Sequence, residues 1–237
     1  MAETNGGGSA SRDAANGAGA GGARAAPLRQ WPAAEGVAAL SPLAHVGLEA
    51  LAARETGDAT VRFTERPVTG LLVLRGDAGS DGFVRAVREA TGLELPARLR
   101  STSGDADGGG AARVIRWRSP DEWLLSCPIE EAHEITVALE RAFDASACVV
   151  DVSGGYTLIE LAGKGVDAVL ARSTAYDATG ELPPGKVVST AFAKSAVMLR
   201  RIDAGRVELV VRRSFADYVW TWLQRAARPG GLAIESP

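Results

Sequence analysis

Apolar and polar positions along the chain fall into two recognisable periods. Alternation in Val207-Glu208-Leu209 and in Val114-Ile115-Arg116-Trp117 has the two-residue period of half-buried strands. Extended apolar runs predict strands over 70–75 and 156–162, and further strands are predicted over 112–118, 123–127, 149–152, 195–202 and 206–212. Helical spacing predicts helices over 80–91, 129–143, 164–172 and 215–227. Asp203-Ala204-Gly205 has the composition of a hairpin connection. The polar stretch from Ser101 to Gly110 is expected to be a loop.

The order of these elements repeats. An offset of 87 residues aligns Gly76 with Gly163 and Leu95-Pro96 with Leu182-Pro183. Beyond the prolines an offset of 84 aligns Ile115 with Leu199, Trp123 with Val207, Leu125 with Leu209 and Leu139 with Leu223. The change of three residues falls in the hydrophilic insert, where a chain tolerates changes of length. Each repeat reads strand-helix-strand-strand-helix. The predicted fold class is therefore α+β: a tandem pair of ferredoxin-like repeats, antiparallel sheet with helices on one face, joined through a shared hydrophobic layer.

Three regions follow from composition. Residues 1–35 form a Gly/Ala-rich tail that buries too little apolar area to offset its ordering entropy, so it is expected to be disordered. Residues 36–59 make an N-terminal arm, with a short helix over 43–53 that turns Leu43, Val46 and Leu51, with Ala50 as a further candidate, inward against this domain or a partner. Residues 60–230 form the domain, with repeats over 66–148 and 149–228.

In the closing helix, Ser214 is the expected N-cap, and Phe215, Val219, Trp222, Leu223 and Ala226 share one buried stripe. Trp220 lies about 140° from Phe215 on a helical wheel, off that stripe. The matching position in the first repeat is Thr136. Trp220 is thus a partner-interface candidate, since an off-stripe tryptophan desolvates a large flat surface; a loop or the arm laid over it is the other reading.

Composition narrows the function classes. The chain of 237 residues is 46% hydrophobic and 23% charged, with a net charge of −3. A pI near 5.6 and scattered basic residues argue against nucleic-acid binding. The pairs Arg200-Arg201 and Arg212-Arg213 read as solvated strand edges. Cys127 and Cys148 sit in apolar contexts and read as buried reduced thiols. With neither a secretory leader pattern nor an 18-residue apolar run, a cytoplasmic location is expected. Two motifs are decoys. Gly17, Gly19 and Gly22 match a dinucleotide fingerprint without the preceding strand it requires, and Arg75-Gly76-Asp77 reads as a strand exit and turn.

No catalytic or metal-ligating constellation emerges from the sequence. His45 and His133 are isolated, and His133 lies on the polar face of its helix. A zinc site needs three or four converging ligands, and no spacing supplies them. Glu130-Glu131 and Asp121-Glu122 stand at helix starts or turns, and Lys186 closes a rigid proline turn.

Several segments resemble the gamma subunit of heterotetrameric sarcosine oxidase over about 66–228. They are Leu74-Arg75-Gly76-Asp77, Pro120-Asp121-Glu122-Trp123-Leu124, Asp151-Val152-Ser153-Gly154-Gly155-Tyr156-Thr157, Pro183-Pro184-Gly185-Lys186, and Arg212-Arg213-Ser214-Phe215-Ala216-Asp217-Tyr218-Val219-Trp220. Their order and spacing carry the resemblance. It implies a complex that demethylates sarcosine to glycine with tetrahydrofolate and oxygen, giving hydrogen peroxide. It also implies alpha, beta and delta subunits as partners, with FAD, FMN, NAD and zinc held by those subunits. This chain is then an assembly subunit with the fold of the folate-binding aminomethyltransferase domain and no cofactor of its own. The sequence departs from the family pattern at Ser173-Thr174-Ala175-Tyr176-Asp177 and in its glycine-rich tail.

Two alternatives stand beside this reading. One is a stand-alone folate-binding one-carbon-transfer protein on the same fold, in which Asp151 is the one candidate folate contact. The other is a free-standing binding domain for a different protein.

Overall fold

The structure, a computed structural model, describes residues 39–53, 57–106 and 110–235. The tail over 1–35 and the glycines at 17, 19 and 22 lie outside the described residues. Eleven strands are described: β1 Val61–Glu65, β2 Thr69–Arg75, β3 Ser101–Ala106, β4 Gly110–Ser119, β5 Glu122–Pro128, β6 Cys148–Asp151, β7 Tyr156–Ala162, β8 Val187–Phe192, β9 Ser195–Asp203, β10 Arg206–Arg212 and β11 Leu232–Ile234. The α-helices are α1 Leu48–Ala52, α2 Asp81–Thr91, α3 Ala132–Ala142, α4 Val166–Ser173 and α5 Ala216–Ala226.

The strands form two sheets, in the orders β3-β4-β5-β2-β6 and β11-β1-β7-β10-β9-β8. Side-chain alternation sorts each strand between two layers. On β2, Leu72 and Leu74 pack with Phe83, Val87, Ile135 and Leu139 of α2 and α3. Leu71 and Val73 face the other way and meet Leu158, Val187, Met198 and Val210 of the second sheet. On that sheet, Ile159, Leu161, Leu199 and Leu209 turn outward to α4 and α5. Helices cover the outer face of each sheet and the inner faces pack on one another, as the predicted shared layer requires. Ser80 caps α2 by accepting the Phe83 amide, and Gly92 ends it at φ +73°.

The duplication is visible in the pairing, with an exchange. The 87-residue offset places β1 on β6. Yet β1 pairs antiparallel with β7, and β6, which leads into the second repeat, pairs antiparallel with β2. Each repeat thus lends its leading strand to the other repeat's sheet. Separating the halves would strip a strand from both sheets, so they form one cooperative body.

Several expectations are corrected. The insert expected as a loop contains β3, which pairs with β4; its Ser-Thr-Ser-Gly composition masks a sheet edge. The repeat-equivalent strand β8 also lay outside the predicted set, as did β1 and β11. Ser214 does not cap α5: residues Arg213–Phe215 make a 3-10 turn, and Phe215 occupies the N-cap position without a side-chain hydrogen bond. Trp220 is buried at 5% exposure, while Phe215, assigned to the stripe, is 40% exposed. The 3-10 turn takes Phe215 out of the helix; Val219, Leu223 and Ala226 are buried as expected, and Ala216 and Trp220 widen the buried face. Arg200 and Arg201 are buried rather than solvated, and Cys148 is exposed rather than buried. In the arm, Leu43 is fully buried in the second repeat's core, with Val46, Leu48 and Leu51 packed on it. The arm therefore lies on its own domain, and Ala50 faces solvent.

The repeat-equivalent glycines 76 and 163 both serve close approach. A Cβ on Gly76 would lie 2.5 Å from the Phe83 ring, and one on Gly163 would lie 2.4 Å from the Thr60 carbonyl oxygen, at φ +117°. Gly163→Ala combines backbone strain with a clash against main chain, so it should cost about 2 kcal/mol or more by urea unfolding. A loss below about 0.5 kcal/mol would mean that the β7–α4 turn relaxes freely.

Candidate functional site: the junction between the repeats

The inner layer holds a charged cluster at its centre. Arg116 on β4 is fully buried and grips Glu208 on β10 with two hydrogen bonds, Nε to Oε1 at 2.7 Å and Nη2 to Oε2 at 2.8 Å. Its Nη1 donates to Ser126 Oγ and to the Val114 carbonyl. Arg200 on β9 approaches the same carboxylate at 3.1 and 3.4 Å. The 84-residue offset makes Arg116 and Arg200 equivalents, so matching arginines from both repeats converge on one acid. The equivalent of Glu208 in the first repeat is Leu124, an inner-layer apolar residue. Burial pushes the Glu208 carboxyl upward, but the charges of Arg116 and Arg200 and their hydrogen bonds outweigh it and hold it at about 2. A guanidinium does not give up its proton in proteins, so the cluster is ionic.

At one end of the layer lies a cavity of about 490 Å³. Much of its lining comes in repeat-equivalent pairs: Arg66 with Ser153, Thr69 with Tyr156, Leu71 with Leu158, and Ile129 with Arg213. The cavity therefore straddles the pseudo-twofold relation between the halves. Leu71 and Leu158 are buried, whereas Leu40 and Ile129 are 64% and 41% exposed. The arm closes one side: Ser41 donates to Glu65 Oε2 at 2.7 Å, and Thr157 donates to Glu65 Oε1 at 2.8 Å. Arg213 Nη1 donates to the Leu40 carbonyl. Arg66 is paired with Glu160. An adjoining open pocket is lined by Val152, Gly155, Tyr156, Arg212, Arg213 and Ser214.

The residues singled out from the sequence fall in different places. Asp151 is exposed, and its Oδ1 accepts the Ser153 amide at 2.9 Å in the turn after β6; it does not line the cavity. Trp220 is in the second repeat's core, edge-on to Phe63 with ring centroids 4.9 Å apart. His133 is exposed, and His45 is exposed and pairs with Asp217 at 3.1 Å. Arg201 binds Asp167 and the carbonyls of Ala178 and Leu182, which ties down the segment after α4 where the sequence departs from the family pattern. Among the described residues no three His, Cys, Asp or Glu side chains converge as a metal site would require. Sequence reasoning missed the Arg116–Glu208–Arg200 cluster. The signal was present, because the same 84-residue offset that pairs Ile115 with Leu199 pairs the two arginines.

The thiols differ sharply. Burial pushes Cys127 up to about 12, and its Sγ faces the Gly70 carbonyl. Iodoacetamide should therefore label one cysteine per native chain, Cys148, and reach Cys127 only after unfolding, as peptide mass spectrometry would report. Native labelling of Cys127 at a similar rate would contradict its burial.

Comparison with known proteins places this geometry. A search of curated proteins returned no match. Among solved structures, the chain is similar to one in heterotetrameric sarcosine oxidase from Corynebacterium sp. U-96, solved in complex with pyrrole 2-carboxylate. The identity is 29%, the TM-score 0.69, and the match covers 81% of this chain and 95% of that one. It is also similar in fold to glycine cleavage system aminomethyltransferase T from Bartonella henselae, at 15% identity and TM-score 0.56. That match covers 82% of this chain and 58% of the aminomethyltransferase chain. The family model described as "Sarcosine oxidase, gamma subunit family" matches residues 75–228. With that match covering more than half of the chain and running through parts of both repeats, the chain belongs to the sarcosine oxidase gamma subunit family.

Proposed function

We infer that this chain is a non-catalytic assembly subunit of a heterotetrameric sarcosine oxidase. In this reading, alpha, beta and delta subunits carry FAD, FMN, NAD and zinc. The complex demethylates sarcosine to glycine, using oxygen and tetrahydrofolate and giving hydrogen peroxide, and it resides in the cytoplasm. The observation that carries the reading is the similarity, over 81% of this chain and 95% of the other, to one chain of an enzyme that is itself heterotetrameric. The structure adds support: the buried ionic groups of the inner layer are engaged with each other across the repeats, where they hold the fold together.

The test is expression of the chain alone and beside the other subunits. The isolated chain should be colourless and inert toward sarcosine, and the co-expressed chain should elute with a flavin-absorbing complex. Tight folate binding or sarcosine oxidation by the isolated chain would overturn the reading in favour of a one-carbon enzyme. Asp151 accepts the amide and hydroxyl of Ser153 in its own turn and is not among the residues that line the cavity.

A further inference from the structure

We propose that the cavity at the repeat junction and the open pocket beside it form one groove that receives an acidic, apolar segment of another subunit of the complex. The proposal rests on the assembly reading above and assigns it a surface.

The two pockets share Tyr156 and Arg213 as wall residues, so they adjoin. Three arginines, 66, 212 and 213, line them, and among the described residues no Asp or Glu does. The chain as a whole carries a net charge of −3, so a groove lined by these arginines departs from the average of the molecule. Arg66 already has a partner in Glu160. Arg212 and Arg213 form no ion pair with any described residue, and Arg213 makes only a neutral hydrogen bond to the Leu40 carbonyl. These two guanidiniums are available for an incoming carboxylate, and an arginine fork binds one with two parallel hydrogen bonds.

Apolar exposure points to the same place and favours a protein segment over a small anion. Among the described residues the exposed large apolar side chains are Leu40, Ile129, Val150 and Phe215. Leu40 and Ile129 line the cavity. Phe215 directly follows Arg212-Arg213-Ser214 at the open end, and Val150 stands two residues before the lining residue Val152. Apolar residues beside unpaired arginines have the composition of a protein interface. A small carboxylate would engage the arginines and leave Val150 and Phe215 in water.

The position also suits assembly. The groove opens where paired residues of the two repeats face each other, so it exists only once both repeats have folded together. A partner that binds there selects the completed fold.

The test uses the full chain, tagged and co-expressed with the three other subunits. Arg212→Glu/Arg213→Glu and, separately, Ile129→Ser are compared with wild type for co-purification and for affinity across a salt series. All three positions are exposed, so circular dichroism and melting of the isolated variants should match wild type. The charge-reversed variant should bind about tenfold more weakly or worse, and wild-type binding should weaken as salt rises. Unchanged affinity in both variants, with wild-type co-purification intact, would sink the groove and leave the assembly reading standing. A wild-type chain that fails to join the other subunits would bring down both. Two further measurements on the isolated chain could also overturn the proposal: self-association lost in the same variants would assign the groove to a second copy, and tetrahydrofolate binding lost in them would assign it to a small molecule.

Discussion

Replacing Glu208 with leucine should lower the unfolding free energy by about 3–5 kcal/mol, among the largest effects of any single change in this chain. Leucine fills the equivalent position in the first repeat, at Leu124, so size alone is tolerable there. The cost comes from the partners. Glu208→Leu leaves Arg116, with no exposed surface, and Arg200, at 9%, as two like charges in the inner layer. Removing one member of a buried ion pair is far more damaging than replacing the set, because desolvation is then uncompensated. The triple variant Arg116→Met/Arg200→Met/Glu208→Leu should accordingly recover most of the loss. Urea denaturation of the single and triple variants measures both quantities. A single-variant loss under about 1 kcal/mol would mean that water reaches the cluster.

The same carboxylate sets a pH dependence. Its pKa falls from an ordinary value of 4.5 to about 2 on folding, so its contribution is fully present above pH 4.5. That contribution is lost as pH falls from 4.5 toward 2. The stability difference between wild type and Glu208→Gln should therefore shrink over that interval, and a difference independent of pH would contradict the assignment.

Trp220→Ala should cost about 3–5 kcal/mol, the usual penalty for emptying a buried tryptophan site. For a domain of this size that lowers the melting temperature by about 10 °C. The side chain packs edge-on against Phe63, which belongs to β1, the strand lent by the first repeat to the second sheet. The void would therefore open where the two repeats are interlocked. Phe215→Ser, on the residue that helical spacing placed inside, should change stability by no more than about 0.5 kcal/mol. A mild Trp220→Ala with a severe Phe215→Ser would restore the sequence-based phase of the helix and refute the observed one.

Much of this fold was legible before the structure. The 87- and 84-residue offsets identified two repeats, and the apolar patterns located β2, β4, β5, β6, β7, β9 and β10 and the four longer helices to within a few residues. The polar edge strand β3 escaped, because a strand with little to bury carries no alternation to read. In α5 Val219, Leu223 and Ala226 were placed correctly, but the burial of Trp220 escaped because the stripe was anchored on Phe215, which belongs to the 3-10 turn over Arg213–Phe215 and not to the helix. Arg200-Arg201 looked solvated because a charged pair after an apolar run is ordinarily exposed; the acid on the neighbouring strand, Asp167 and the carbonyls of Ala178 and Leu182 make burial tolerable.

Local order and repetition are properties of neighbouring residues, and the amino-acid sequence alone determined them: two α+β repeats in one body, and membership of a recognisable family. Tertiary structure decided which strands were exchanged, which tryptophan was buried and where a cavity opened. Each of those depends on residues of the two repeats, far apart in sequence, meeting in space. The free energy of such a meeting comes from desolvation and packing against the other repeat, which no window of sequence contains.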